Sequence, residues 1–576
     1  MELIRNRKLI DRKFREFFFP TVLNMMSASL SFIVDEIIVS SLLGATCLAA
    51  VHACVPISQL ISTFGALFGL GAASCISVAL GRRETERANR LYTAMMMLVV
   101  GTGVLFAVLQ AIFMNGIART LISDASATEY VTAYYRNLVW GTPIMLFLTA
   151  LCHLMRAEGC VRITSIAVIS TNLLNLVFDV IFIRFCNMGI SGASLATVLA
   201  NIVGLGLSMF YLLTKRRTVK FRLNGAVREI PMILKTGVST ALGVGLIAIK
   251  IMFINNLVSR LQGAMGVAAF SVCTNCLMFM SMFISGSAQT MVPILGVYYG
   301  ERDFTGARIA VRRARIVLAI CVAAGLILLE AAPNLIASLF GMHDEAVRAM
   351  VIRAVRIFAF SLAGTALNFL LLYFYMAVEK RWLSTVISVV NGLAAIVPCA
   401  LLLSMLWGID GVWAAFSAAE LLTLLVVLIL EKGRLFRIEN VRRKQEPPKE
   451  LPKELLQLSA DRSTVSQAVE QIHKSLLGGG VDEKKAMFVT IAAEEIMVNS
   501  IEHSAGKTVH FDVIIRASGD DLLLSVTDDG SPFDPLVYHC EQPEPYVTDH
   551  IGMIRSVAAS VDYKRLIGLN KTFIRL

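Results

Sequence analysis

Residues 1–432 are a nearly unbroken succession of apolar stretches, at roughly 17–43, 48–80, 91–115, 133–155, 163–186, 190–214, 232–259, 265–299, 316–340, 350–378, 382–406 and 408–431. Each can cross a hydrocarbon layer of about 30 Å, which takes roughly 20 apolar residues as a helix. Backbone polar groups find no water in that layer, so such a chain folds as a bundle of helices. Composition points the same way: 56% of residues are hydrophobic and 16% charged, against about 45–50% and 25% for soluble chains. A wholly soluble enzyme and a disordered chain are both excluded. Residues 433–576 depart from the pattern and read as an ordinary soluble domain. The 11 cysteines suggest no disulfide framework, and the CxxC of Cys273 and Cys276 sits inside an apolar run, where small packing residues are expected. No small-residue cleavage pattern follows the basic start, so no cleavable signal peptide is expected.

The net charge of +11 is distributed by topology. The N-terminus, the even-numbered connections and the stretch after the last window carry 31 Lys and Arg, from Arg5 to Lys444; the other connections carry 7. The positive-inside rule then predicts both termini in the cytoplasm. Nucleic acid is not needed to explain the charge.

The first half resembles the second at an offset of 219. Gly81-Arg82-Arg83 faces Gly300-Glu301-Arg302, Asn172 faces Asn391, and Gly189-Ile190-Ser191-Gly192 faces Gly408-Ile409-Asp410-Gly411. Six windows per half is an even number, so both halves insert the same way. The prediction is an all-α membrane fold of 12 helices in two six-helix parallel-repeat lobes, 1–214 and 215–432. Transporters of that design place substrate between the lobes and rock them.

A charge at mid-bilayer costs at least about 2.5–3.5 kcal/mol and commonly marks function. Asp35 lies deep in the first window and Asp179 deep in the fifth. Asn175 is one helical turn before Asp179, on the same face. With Thr197 these oxygens could hold Na⁺, or the buried carboxyls could bind a proton. Lys250 is the notable charge of the seventh window and either snorkels outward or lines a central cavity. Ile254 faces Asp35 and Pro398 faces Asp179 across the repeat, so coupling chemistry is expected in the first half alone.

These residues resemble the multidrug and toxic compound extrusion (MATE) transporters over about 430 residues. The similarity rests on Pro20 with Val34-Asp35, Leu43-Gly44 followed by Leu48-Ala49-Ala50, Asn175 with Asp179, Gly192-Ala193-Ser194-Leu195-Ala196-Thr197, and Gly81 and Gly300. The resemblance implies antiport of organic cations against Na⁺ or H⁺, with a cation site at Asp35, Asn175, Asp179 and Thr197. The acidic residue that some members carry in the seventh span is absent here, where Lys250 stands. A lipid-linked glycan flippase and a membrane sensor are the alternatives.

Residues 433–453, with Pro447, Pro448 and Pro452, read as an extended linker. From 454 a mixed α/β pattern begins: Val465 to Leu477 and Lys484 to Ser500 look helical, while Val509 to Ile515 and Leu522 to Thr527 look like strands. Glu495 and Asn499 share a helix face; a carboxylate there can act as base, and the amide oxygen beside it can bind Mg²⁺. Asp528 ends a strand before Asp529-Gly530, where a carboxylate can accept from an adenine amino group. A lid-like stretch, Ile551-Gly552-Met553 and Gly568-Leu569-Asn570 follow.

In that order these motifs resemble the GHKL ATPases, most closely the anti-sigma-factor serine kinases, over about 120 residues. The resemblance implies a two-layer α/β sandwich at 454–576 that binds Mg-ATP. It implies Glu495 as base, Asn499 as Mg²⁺ ligand, Asp528 and Gly530 at adenine and Gly552 at the phosphates. It also implies an anti-anti-sigma (STAS-type) protein as partner. Where relatives carry GxG, this chain has the single Gly552. Walker-type phosphate loops are absent, so a gradient, not ATP, is expected to drive transport.

Overall fold

The computed structural model describes residues 7–82, 84–121, 125–214, 220–339, 345–436, 438, 453–461, 464–504, 508–518, 521–535 and 550–576. Most of the linker and the lid-like stretch lie outside the described residues. The chain divides into two compact units. One is Glu16–Glu301 with Val311–Arg437; the other joins the N-terminal end through Arg15, Arg302–Ala310 and the tail from Ile438.

The larger unit is all helical. Its first half contains α1 (Arg7–Leu43), α2 (Ala45–Gly81), α3 (Thr85–Ile112), α4 (Met114–Leu121), α5 (Ala125–Ala157), α6 (Val161–Asp179) and α7 (Ile190–Thr214). The second half contains α8 (Ile230–Gly300), α9 (Phe304–Ala331), α10 (Pro333–Leu339), α11 (Glu345–Ala359), α12 (Ser361–Ala377), α13 (Arg381–Val389) and α14 (Ile396–Leu430). Among the described residues, 11 helical segments are long and apolar enough to cross a membrane. The last, Arg381–Leu430, is 50 residues long. At 1.5 Å per residue that is far more than one bilayer thickness, and its helical path breaks at Trp407 and Gly408.

The breaks follow the repeat. Gly44 (φ 87°) ends α1, and Gly263 (φ 58°) kinks α8, 219 residues on. Gly189 (φ 59°) precedes α7, and Gly408 (φ 57°) breaks α14 at the same offset. These four need glycine because L side chains resist positive φ. Helices α3 and α9 begin and end at positions 219 apart. A turn of π-helix follows α6 at Val180–Phe185 and α13 at Val390–Ala394, on equivalent helices but at different places along them.

The halves meet where α2 and α8 cross. A methyl group built on Gly81 falls on the Val297 carbonyl oxygen and 2.9 Å from Gly300 Cα. One built on Gly300 falls on the Val78 carbonyl oxygen and 2.8 Å from Gly81 Cα. Further along α2, a methyl group on Gly71 would lie 2.6 Å from the Ile233 carbonyl oxygen, near the start of α8. Small residues let helix backbones touch where lipid supplies no hydrophobic drive. The Cys273 side chain is fully buried in the apolar core of the second half, with Cys276 packed against it.

The tail is a five-stranded antiparallel sheet in the order β1-β2-β3-β5-β4. The strands are β1 (Lys453–Asp461), β2 (His510–Ser518), β3 (Asp521–Asp528), β4 (Ser560–Leu566) and β5 (Leu569–Arg575), accompanied by α15 (Val465–Gly478), α16 (Glu483–Glu502) and α17 (His550–Val557). One apolar core unites helix and sheet: Ile472, Val489 and Met497 pack with Phe511, Val513 and Leu524. The end of α1 belongs to this unit. Arg12 Nη1 donates to Asp529 Oδ2 at 2.9 Å, and Lys13 Nζ to the Gly568 carbonyl at 3.0 Å.

Overpacking a tight crossing costs about 1–3 kcal/mol. Gly300→Ala is therefore expected to lower the thermal unfolding midpoint of the purified protein clearly, because the obstruction is backbone. Gly206→Ala, with open space around it, is expected to leave the midpoint unchanged. Equal midpoints for the two variants would show that the crossing does not constrain the fold.

Candidate functional sites

In the first half, α1, α5, α6 and α7 bring the expected residues together. Asp179 ends α6 where the π-turn begins and is fully buried. No hydrogen-bond donor reaches either of its carboxylate oxygens. Its neighbour is Asp35 of α1, half-buried, and each carboxyl acts on the other. Asn175, one turn earlier on α6, donates its amide to Thr197 Oγ1 of α7 at 3.3 Å. Thr197 itself donates to the Ala193 carbonyl at 3.2 Å. All four expected residues thus lie in one cluster.

A fifth member was not anticipated. Tyr134 of α5 is buried, its hydroxyl bonds Thr197, and both carboxyls act on it electrostatically. Nothing in its sequence neighbourhood distinguishes it from other helical tyrosines; only the packing of α5 against α7 reveals it. A fully buried carboxyl beside a second, half-buried one makes ionising both costly. Sharing a proton or receiving a cation relieves that cost, and the hydroxyl and amide oxygens beside them suit either.

The second half holds a buried charge that the comparison of aspartates across the repeat did not find. Glu420 of α14 is 7% exposed and is ringed by Thr365, Asn368 and Asn391. The Lys250 ammonium of α8 lies 6.0 Å from the centroid of the Phe416 ring, one turn before Glu420.

In the tail, Asp528 ends β3 and is 2% exposed. Its Oδ1 accepts from Ser500 Oγ at 2.8 Å, Asn570 Nδ2 at 2.8 Å and the Gly530 amide at 2.9 Å. A methyl group on Gly530 would lie 2.6 Å from Ser504 Oγ and 2.8 Å from Ser500 Oγ, so glycine is required there. Burial pushes the Asp528 carboxyl up to about 6, while its three hydrogen bonds pull it back down. Glu495 and Asn499 stand one turn apart on α16, with Asn499 Nδ2 3.3 Å from Glu495 Oε2. Asp528 packs against the next turn of the same helix through Ser500. Gly552 lies in the first turn of α17 and is half-buried. Ser500 and Asn570 hold the Asp528 carboxylate from 28 and 42 residues away, distances that hide them from motif reading.

The family model described as MatE matches residues 20–181 and 239–401, more than half of the chain. The multidrug export protein MepA of Staphylococcus haemolyticus (strain JCSC1435) is 23% identical over 393 residues, spanning 66% of this chain and 85% of that protein. Two solved structures share the fold. One is an outward-facing multidrug resistance MATE family transporter of the MOP superfamily. It is 24% identical, with 74% of this chain and 96% of that chain covered and a TM-score of 0.69. The other is a MOP superfamily transporter from Pyrococcus furiosus Vc1 (DSM3638), described as having a binding pocket of reverse polarity that suggests a different function. It is 23% identical, with 75% and 98% covered and a TM-score of 0.68. The two matched segments fall one in each half of the repeat, and the chain belongs to the MatE family.

Proposed function

We propose that this protein is a secondary-active exporter of small organic compounds, cationic or amphipathic, exchanging them for Na⁺ or H⁺ across a bacterial inner membrane. The supporting observation is Asp179: a fully buried carboxylate that meets no donor and faces a second carboxyl. Such a pair binds a cation or proton in one state and releases it in another, which is the property an exchanger needs. The name of the MepA relative supports drug-like cargo. The break at Gly408 divides the last long segment, which supports twelve passes, and the charge distribution along the sequence supports cytoplasmic termini.

We propose further that the tail is a GHKL-type module for Mg-ATP that regulates the pump. The residues present suit that group. Asp528 is held rigidly by three hydrogen bonds, as a carboxylate that reads an adenine amino group should be. Asn499 would hold Mg²⁺ through its side-chain oxygen, and Glu495 would take a proton from a hydroxyl nucleophile. Bound Mg-ATP supplies a transferable phosphoryl group. The receiving serine would belong to an anti-anti-sigma-type protein. The Arg12–Asp529 ion pair, next in sequence to Asp528, supports α1 as the route from tail to pump.

Inside-out vesicles given an H⁺ or Na⁺ gradient and no ATP are expected to accumulate a cationic dye. Asp179→Asn is expected to reduce this to background. Tyr134→Phe removes one hydrogen bond at the site, worth about 1 kcal/mol, and should raise the coupling-ion concentration for half-maximal uptake roughly fivefold. Full uptake by Asp179→Asn would sink the exchanger reading.

The raised Asp528 value sets a pH dependence. The folded tail holds this proton more tightly than the unfolded chain, so its contribution to stability is present below about 3.8 and lost as pH rises through about 6. Adenine recognition runs the other way, because it needs the ionised carboxylate. ATP binding by the full-length protein, followed by equilibrium dialysis, should weaken up to tenfold per unit as pH falls below about 6. Asp528→Asn should bind weakly and lack this additional slope. Tight binding by that variant would remove Asp528 from the site.

A further inference from the structure

The cluster around Glu420 differs in kind from the one around Asp179. The Glu420 carboxylate accepts from Thr365 Oγ1 at 2.8 Å, Asn368 Nδ2 at 2.5 Å and Asn391 Nδ2 at 2.5 Å. Asn368 Nδ2 also donates to the Glu420 backbone carbonyl at 3.1 Å. Thus α12, the π-turn after α13 and α14 all converge on one carboxylate. These donors offset part of the cost of burying a carboxylate there. Asn368 Oδ1 is buried and meets no donor.

Helix α8 brings the fourth partner. The Lys250 ammonium sits 6.0 Å from the centroid of the Phe416 ring. Phe416 is one turn before Glu420 on α14, so both side chains lie on one helix face. Leu246, one turn before Lys250, packs on Gly392, where a methyl group would come within 2.7 Å of Leu246 Cβ. Gly392 adjoins Asn391. The α8 turn bearing Lys250 is therefore fixed against the π-turn that bonds Glu420, and the two charges act on one another.

Each of these charges alone would be costly at this depth. A buried carboxylate with an opposite charge beside it needs no ion from solution. We infer that Lys250 is a tethered counter-cation for Glu420, offsetting its charge from its place over the Phe416 ring, so that the second half takes up no cation. The inference goes beyond the exchange reading and holds whether or not Asp35 and Asp179 couple transport. Lys250 is on this account a positioning residue: it decides which half is open to cations. Removing its charge uncovers a cation site whose oxygens are the Glu420 carboxylate and Asn368 Oδ1.

Infrared difference spectroscopy of the purified full-length protein at neutral pH, in choline buffer, tests this directly. The wild-type minus Glu420→Gln spectrum should lack the band of a protonated carboxyl group. Lys250→Met should gain that band, and Lys250→Met with Glu420→Gln should lose it. Lys250→Arg keeps the charge and should resemble wild type, which separates loss of charge from misfolding. Adding Na⁺ to Lys250→Met should either remove the band, identifying a Na⁺ site, or leave it, identifying a proton site. A protonated Glu420 in the wild type or in Lys250→Arg would overturn the inference. So would a Glu420 that stays ionised in Lys250→Met without Na⁺.

Discussion

Helices α2 and α8 touch backbone to backbone because Gly81 and Gly300 have no side chains to keep them apart. The two glycines occupy the same place in the two repeats, 219 residues apart, so the contact lies on the axis that relates the halves. Water cannot squeeze apolar helices together inside a bilayer, and packing must do so. Side chains reinforce this close backbone crossing: Cys75 Sγ lies 3.4 Å from Thr236 Oγ1, and Arg82 pairs with Glu379 at 2.5 Å. The crossing suits two bodies that turn against each other, as in transporters built from parallel repeats. The helix breaks use glycine for another reason: Gly44, Gly189, Gly263 and Gly408 take positive φ in open space.

Much of this was legible in the sequence because each signal is local or repeats. Apolar runs give the helices, and a common offset gives the repeat down to the first and last residues of α3 and α9. Asp179 stands out because a carboxylate in an apolar run is conspicuous, and Asn175 follows from helical spacing. Residues whose role depends on distant partners were not legible. Tyr134 meets Thr197 only because α5 packs on α7. Glu420 faces Asn201 at the repeat offset, so a search for aspartates matching Asp35 and Asp179 passes over it. Its meaning appears only when Thr365, Asn368 and Asn391 converge. The break at Gly408 was foreshadowed by Gly189, whereas the π-turns carry no local signature.

The tail shows the same division. Helices α15 and α16 and strands β2 and β3 follow from alternation and apolar spacing and lie within a few residues of the expected ends, whereas β1, β4, β5 and α17 were not expected. The support of Asp528 is spread over α16, β5 and the turn at Gly530, so a motif names the carboxylate but not what holds it. Arg12 is a further case. In sequence it belongs to a basic N-terminus that topology alone explains, yet its guanidinium reaches Asp529, whose side chain is 1% exposed. Its ion pair belongs to the tail unit and carries no signal in the local sequence.

The two halves share a backbone plan but treat buried charge in opposite ways. In the first, two carboxyls face each other, and no donor reaches Asp179 among the described residues. In the second, one carboxylate has three donors and a lysine, so the protein meets its charge internally. Both solutions address the same desolvation problem. A site left unbalanced exchanges ions readily, whereas a balanced one does so only at the expense of breaking its own pair. A symmetric fold can in this way carry asymmetric chemistry, with the choice made by a few side chains: Lys250 and Glu420 on one side, Asp35 and Asp179 on the other.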